Sequence, residues 1–151
     1  MRKILIILLI LVLAFIWGHS CMSVSESRDE SSRVMDVITP FLEFFIGKGN
    51  VTLHLVRKLA HFTEFAALGA ILALLFPLTG KGLLVSASCG LLAGFLDETI
   101  QIFSDRGDQI SDVWLDFSGA LFGLFVFSLL RLLVQRILSR RSHGNTEIGT
   151  E

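Results

Sequence analysis

Four long apolar runs, each with few charged residues inside it, constrain this chain more than any other feature of its sequence. A helix of about 20 apolar residues crosses the ~30 Å hydrocarbon core of a bilayer, and it satisfies all its backbone hydrogen bonds internally. Hydrophobic residues make up 52% of the 151 residues, and the mean hydropathy is +0.69. The sequence therefore predicts an all-α integral membrane bundle of four transmembrane helices. The net charge of −1 gives no indication of nucleic-acid binding.

The first run, Ile4 to Trp17, follows two basic residues and is shorter than the others. Fourteen helical residues reach only about 21 Å, so the helix needs the next few residues to span. We interpret residues 1–22 as an N-terminal signal-anchor helix. A cleaved signal peptide and a lipoprotein site at Cys21 are the alternatives.

Residues 23–56 are predicted to form an extracytoplasmic loop. Its first part, SVSESRDESSR, is polar and indicates an exposed loop. Its second part has apolar residues at spacings near 3.6, from Val34 to Phe45. This spacing predicts a short helix that lies on the membrane surface or packs over the mouth of the bundle.

The remaining runs form a predicted three-helix membrane core at residues 57–135. Its spans are expected at residues 59–78, 83–103 and 112–134, joined by the short turns PLTGKG and SDRGDQIS. Residues 136–151 are predicted to be a basic and then disordered cytoplasmic tail.

Ionisable residues lie at the start of the second span, the end of the third and the start of the fourth. Because short turns make neighbouring spans antiparallel, these three polar ends must meet at one side of the membrane. Basic residues cluster near both ends of the chain, which favours cytoplasmic termini. We therefore expect the polar cluster at the extracytoplasmic end.

The polar residues follow helical spacing and share faces with small residues. The stripes are Arg57, His61 and Glu64; Gly90, Gly94, Asp97 and Gln101; and Asp112, Asp116, Gly119 and Gly123. A Gly-x-x-x-Gly pattern lets two membrane helices approach closely. The packing face thus carries the carboxylates, which should point into the bundle.

Ionisable groups inside a membrane often mark a site, although a purely structural charge network is the alternative. His61, Glu64 and Asp97 are candidate catalytic acid–base groups, but no nucleophile motif accompanies them. Arg57, Lys58 and Arg106 are candidates for binding a phosphate or carboxylate headgroup. His61 with Glu64, Asp97 and Asp116 could bind a metal through one imidazole and carboxylates, but a single histidine is a weak signal, so no metal site and no cofactor is predicted. The other histidines, His19, His54 and His143, are interpreted as ordinary surface or interfacial residues.

Four segments between Arg57 and Gly123, namely RKLAHFTEFAALG, GLLAGFLDETIQIF, DRGDQISDV and DFSGALFG, resemble the VanZ family of small membrane proteins. The matching positions are Arg57, Lys58, His61, Phe62, Glu64, Asp97, Glu98, Gln101, Arg106, Asp112, Gly119 and Gly123. Phe65 stands where the family usually has tyrosine, and Asp116 where it usually has asparagine.

The resemblance implies a multi-pass protein of the bacterial cell membrane, in a family whose prototype is associated with teicoplanin resistance. We expect this chain to affect glycopeptide susceptibility by binding or handling a cell-surface lipid or cell-wall precursor. Candidate ligand-binding residues are Arg57, Lys58, Glu98, Gln101, Arg106, Asp112 and Asp116. A membrane enzyme acting on a lipid-linked substrate and a structural or interaction protein are the alternatives. The oligomeric state is not predicted.

Overall fold

The computed structural model describes residues 2–76, 79–104 and 110–147, with the side chains of the last segment described for residues 111–139. The described residues form five α-helices and no strand. They are α1 (Arg2–Ser20), α2 (Val24–Ile46), α3 (Leu53–Leu75), α4 (Lys81–Phe103) and α5 (Ile110–Glu147). Four segments are long and apolar enough to cross a membrane: α1, α3, α4 and residues Ser111–Ser139 of α5. The predicted all-α bundle with four membrane-spanning helices is confirmed.

Helix α2 corrects the prediction of an exposed serine-rich loop. Ser23 caps the helix, because its hydroxyl accepts from the Glu26 backbone and the Glu26 carboxylate accepts from the Ser23 backbone. This Ser-x-x-Glu capping box was visible in the sequence as a helix start. Hydrogen bonds from Ser23 favour the charged carboxylate and hold the pKa of Glu26 below its ordinary value. The helix ends at Gly47, whose φ of 86° suits glycine.

The second half of α2 packs against α3 on one side and exposes large apolar side chains on the other. Val37 is 78% exposed and Phe44 is 85% exposed. An apolar face of this kind suits a membrane surface. The placement of α2 at that surface stays a prediction.

Small residues bring α3 and α5 together along most of the bundle. A Cβ added to Gly119 would lie 2.5 Å from the carbonyl oxygen of Phe62. A Cβ at Gly123 would clash in the same way with the Ala66 carbonyl oxygen. The prediction that the Gly-x-x-x-Gly pattern of α5 allows close helix packing is therefore confirmed. The contact also fixes how far α3 is shifted along α5.

Helix α1 completes the core rather than standing apart from it. Ile16 is fully buried in a cluster with Phe65, Leu68, Leu72 and Ala120. The α1 helix thus contributes to the bundle, while its interpretation as an uncleaved anchor stays a prediction.

Two helix ends differ from the predicted bounds. Helix α3 begins at Leu53, capped by Thr52, and not near Leu59. Helix α5 continues to Glu147, beyond the predicted end of the fourth span at Val134, so the basic part of the predicted tail continues the helix. The disorder of the end of the tail stays a prediction. The bilayer limits the length of the apolar stretch but does not end a helix, and no proline follows to end it. Residues 148–151 lie outside the described residues.

Candidate functional site

The polar ends of four helices meet at one end of the bundle. The centre of this site, called here the buried triad, consists of His61 on α3, Asp97 on α4 and Asp116 on α5. Their exposed fractions are 8%, 0% and 1%. The prediction that three polar helix ends converge is confirmed, and the end of α1 joins them.

Two neighbours fix the Asp97 carboxylate in place. The Ser20 hydroxyl at the end of α1 donates to Asp97 Oδ1 at 2.6 Å, and Gln101 Nε2 donates to Asp97 Oδ2 at 2.9 Å. The Gln101 amide also reaches Glu98 Oε1 at 3.3 Å. Asp97 is thus an oriented acceptor at the contact of α1 with α4, although a buried carboxylate is costly without a counter-charge.

His61 faces both carboxylates of the triad at a distance too long for hydrogen bonding. Its Nδ1 lies 3.7 Å from Asp97 Oδ2 and 3.9 Å from Asp116 Oδ1. Within the described part of the chain, neither Asp116 oxygen nor His61 Nδ1 has a hydrogen-bond partner. The three residues also bring one ligand atom each within 4.8 Å of one another. They are the group that could hold a metal ion.

Ion pairs surround the triad at the helix ends. Lys58 Nζ lies 3.0 Å from Asp112 Oδ1, joining α3 to α5. His19 Nδ1 lies 3.1 Å from Glu64 Oε1, and His19 Nε2 lies 2.8 Å from Glu30 Oε2. One imidazole therefore links α1, α2 and α3.

From the sequence, His19 is interpreted as an ordinary surface or interfacial histidine without charged company, and its contacts with Glu30 and Glu64 contradict the second part of that interpretation. Its ring also lies nearly parallel to that of His61, with centroids 6.4 Å apart. The sequence contained a signal for this position. Helix α1 is also a predicted span, and the polar loop after it is predicted on the same side of the membrane as the polar cluster. His19 and Ser20, at the end of α1, are therefore expected on that side as well.

Two cavities open beside the triad. The smaller has a volume of about 10 Å³, enough for about one water-sized particle, and its lining includes Arg57, Lys58, His61 and Asp116. The larger, called here the basic cavity, has a volume of about 170 Å³ and lies between α2 and α3. Its polar lining consists of Ser27, Arg28, Ser31, His54 and Arg57.

The structure places most of the predicted site residues together. Glu98 and Gln101 are buried beside the triad, whereas Arg57, Lys58 and Asp112 are half-buried around it. Glu64 belongs to the ion pairs of the rim. Arg106 lies outside the described residues, so its predicted role stays a prediction.

A bundle of apolar helices with a buried polar site at one end defines a polytopic α-helical membrane protein. The family model VanZ/LLP1 matches residues 5–131, which is most of the chain. The chain therefore belongs to the VanZ/LLP1 family, as the sequence resemblance indicates. Comparisons with curated proteins and with solved structures gave no match.

Phe65 and Asp116, the two positions that depart from the pattern expected from the resemblance, both lie near Gly94. A Cβ at Gly94 would lie 3.1 Å from Asp116 Cβ and 3.7 Å from Phe65 Cε1. Phe65 and Asp116 are both almost fully buried near Gly94.

Proposed function

We propose that this protein binds the anionic headgroup of a membrane lipid or lipid-linked cell-wall precursor in the bacterial cell envelope. The basic cavity carries the proposal. It holds two arginines, a histidine and two serines at the polar end of a membrane bundle. Arginine offers a planar fork of donors that matches phosphate oxygens, and hydroxyls supply further donors.

The charges of the cavity favour an anion. Arg28 and Arg57 both line it, and neither guanidinium is within 4.0 Å of a carboxylate among the residues that the structure describes. Lys58, by contrast, is paired with Asp112. The cavity therefore has positive charge that no described ion pair compensates.

An apolar cavity between the same two helices fits the rest of a lipid. It has a volume of about 320 Å³ and is lined mainly by Val34, Ile38, Val56, Leu59 and Ala60. Val56 of this cavity directly precedes Arg57 of the basic cavity along α3. A basic cavity and an apolar cavity between the same two helices match a headgroup and an acyl chain of one lipid.

Lipid binding can be measured by native mass spectrometry of the purified protein released from nanodiscs. We expect retention of phosphatidylglycerol over phosphatidylcholine, and a loss of at least about 10-fold in affinity for Arg57→Gln or Arg28→Gln, since a charge-assisted hydrogen bond contributes about 1.5–3 kcal/mol. Arg33→Gln is the matched control, because Arg33 is exposed on α2 and outside the cavity. Equal retention of both lipids, or equal losses for Arg33→Gln and Arg57→Gln, would contradict the proposal.

The consequence for antibiotic susceptibility is a separate part of the proposal. We expect a sensitive Gram-positive host that expresses the wild-type chain to tolerate more teicoplanin than a host that expresses Arg57→Gln. Membrane abundance is matched by immunoblot, and Arg33→Gln should protect like the wild type. Equal teicoplanin susceptibility with and without the wild-type protein would contradict a role in glycopeptide protection, whether or not the protein binds lipid.

A further inference from the structure

The buried triad places two carboxylates and an imidazole together, and of the two carboxylates only Asp97 has hydrogen-bond partners among the described residues. Asp97 and Asp116 are 0% and 1% exposed, and among the described side chains no Lys or Arg lies within 4.0 Å of either. Buried charges in proteins are paired or coordinate a metal. Two of the neighbouring bases are engaged elsewhere, Lys58 with Asp112 and His19 with Glu64 and Glu30.

The distances within the triad fit a shared ion better than direct hydrogen bonds. An N–H donor and a carboxylate oxygen in a hydrogen bond lie about 2.7–3.2 Å apart. His61 Nδ1 is instead 3.7 Å and 3.9 Å from the two carboxylates. Two ligands of one tetrahedral zinc ion, each about 2.1 Å from it, lie about 3.4 Å apart. Both His61 distances are a few tenths of an ångström longer than that spacing, so a small inward rotation of the carboxylates would reach it.

We propose that His61, Asp97 and Asp116 bind a divalent transition metal ion of the zinc or manganese type. Asp116 carries the argument furthest, because it is almost fully buried, it faces His61, and both its oxygens lack a partner in the described structure. An imidazole with two carboxylates suits Zn²⁺ or Mn²⁺, whereas Mg²⁺ and Ca²⁺ prefer ligand sets made of oxygen alone. The three ligand atoms lie within 4.8 Å of one another, so a small rotation of one carboxylate completes the coordination.

The surroundings of the triad also match a metal site. Ser20 and Gln101 orient the Asp97 carboxylate through hydrogen bonds of 2.6 Å and 2.9 Å, as outer-shell residues do in metal sites. The adjoining cavity of about 10 Å³, which His61 and Asp116 line, has room for one water molecule. Three protein ligands leave a coordination position for that water or for an oxygen of an anionic ligand.

None of the three proposed metal ligands lines the basic cavity, so variants of the triad and of that cavity can be tested separately, although Arg57 lines both the basic cavity and the small cavity beside the triad. The test uses purified full-length protein from which any affinity tag has been removed. The protein is stripped with a chelator, incubated with Zn²⁺ or Mn²⁺, dialysed, and analysed for metal by mass spectrometry. We expect about one ion per chain and a melting temperature that rises with free metal concentration, because binding stabilises the folded state. Mg²⁺ and Ca²⁺ should give neither result.

Variants then locate the ion. Asp116→Asn keeps the shape of the side chain and should weaken binding by at least about 100-fold, more than the loss of an outer-shell residue. Asp36→Asn is the matched control, since Asp36 is exposed on α2 and is outside the triad. If Asp116→Asn fails to purify as a monodisperse protein, Asp97→Asn and the absorption spectrum of the Co²⁺-loaded wild type replace it.

Two results would overturn the proposal. The first is a wild-type protein that retains neither Zn²⁺ nor Mn²⁺ above the level of the Mg²⁺ control, which would leave a buried proton as the stabilising partner of the triad. The second is retention of metal by Asp116→Asn and Asp97→Asn at the wild-type level. Loss of lipid preference in Arg57→Gln with retained metal would separate the two sites.

Discussion

Replacing Gly119 with alanine should separate α3 from α5 and loosen the polar site. The added Cβ would lie 2.5 Å from the Phe62 carbonyl oxygen, about 0.9 Å closer than ordinary contact begins. The obstacle is backbone, so it cannot rotate away as a side chain would. His61 directly precedes Phe62 on α3, and Asp116 lies three residues before Gly119 on α5. The shift that relieves the clash therefore also pulls apart two members of the buried triad.

The size of the effect follows from the cost of overpacking. Extra atoms forced into a packed core cost about 1–3 kcal/mol. We expect Gly119→Ala to lower the free energy of unfolding by that amount. Gly90→Ala should cost less, because its nearest contact would be the Ala120 side chain at 2.9 Å. Gly18→Ala is the matched control, since a Cβ there would meet no atom within 4 Å.

The assay is equilibrium unfolding of the three variants and the wild type in the same detergent, followed by circular dichroism. We expect Gly119→Ala to lower the free energy of unfolding most, Gly90→Ala less, and Gly18→Ala least. A free energy of unfolding for Gly119→Ala within about 0.5 kcal/mol of that for Gly18→Ala would refute the prediction, because substitutions at ordinary surface positions usually change it by no more than that.

Two further changes test the contacts of α1. Ser20→Ala removes the 2.6 Å hydrogen bond to Asp97 and should lower the free energy of unfolding by about 1–3 kcal/mol, whereas Ser88→Ala at an exposed α4 position should leave it nearly unchanged; equal stabilities in denaturant would argue against the bond. His19→Gln breaks the charged link to Glu30 and should speed hydrogen–deuterium exchange across α2 while leaving α4 unchanged. Unaltered exchange in α2 would mean that the link does not hold that helix.

Apolar periodicity and turn length were enough to predict the bundle. Runs of apolar residues gave the spans, and short turns brought the polar ends of three of them together. The spacing of Asp97 and Asp116 from nearby glycines also placed both carboxylates on packing faces, where they are fully buried. These features follow from local spacing, which a single sequence contains.

The partners of those carboxylates could not be predicted in the same way. Ser20 reaches Asp97 across 77 positions of the chain, and His19 reaches Glu64 across 45. Such pairings depend on the rotation of α1 within the bundle. The sequence of α1 does not indicate which of its faces packs against the bundle, because nearly all of its residues are apolar. The start of α2 is a different case, because the sequence does contain a local signal for it, the Ser23–Glu26 capping box. The polar residues that follow are more typical of a loop than of a helix.

Binding of a cell-surface lipid or precursor requires that the polar end of the bundle faces outward, where these molecules are found. The native Cys21 is exposed next to Ser20 at that end, whereas Ser139 lies near the opposite end of the span in α5. Intact cells are treated with a membrane-impermeant maleimide, and Cys89 is replaced by serine throughout. We predict that Cys21 reacts in intact cells, and that Ser139→Cys in a Cys21→Ser background reacts only after permeabilisation. The opposite pattern would put the site on the cytoplasmic side and contradict binding of an outer-leaflet headgroup.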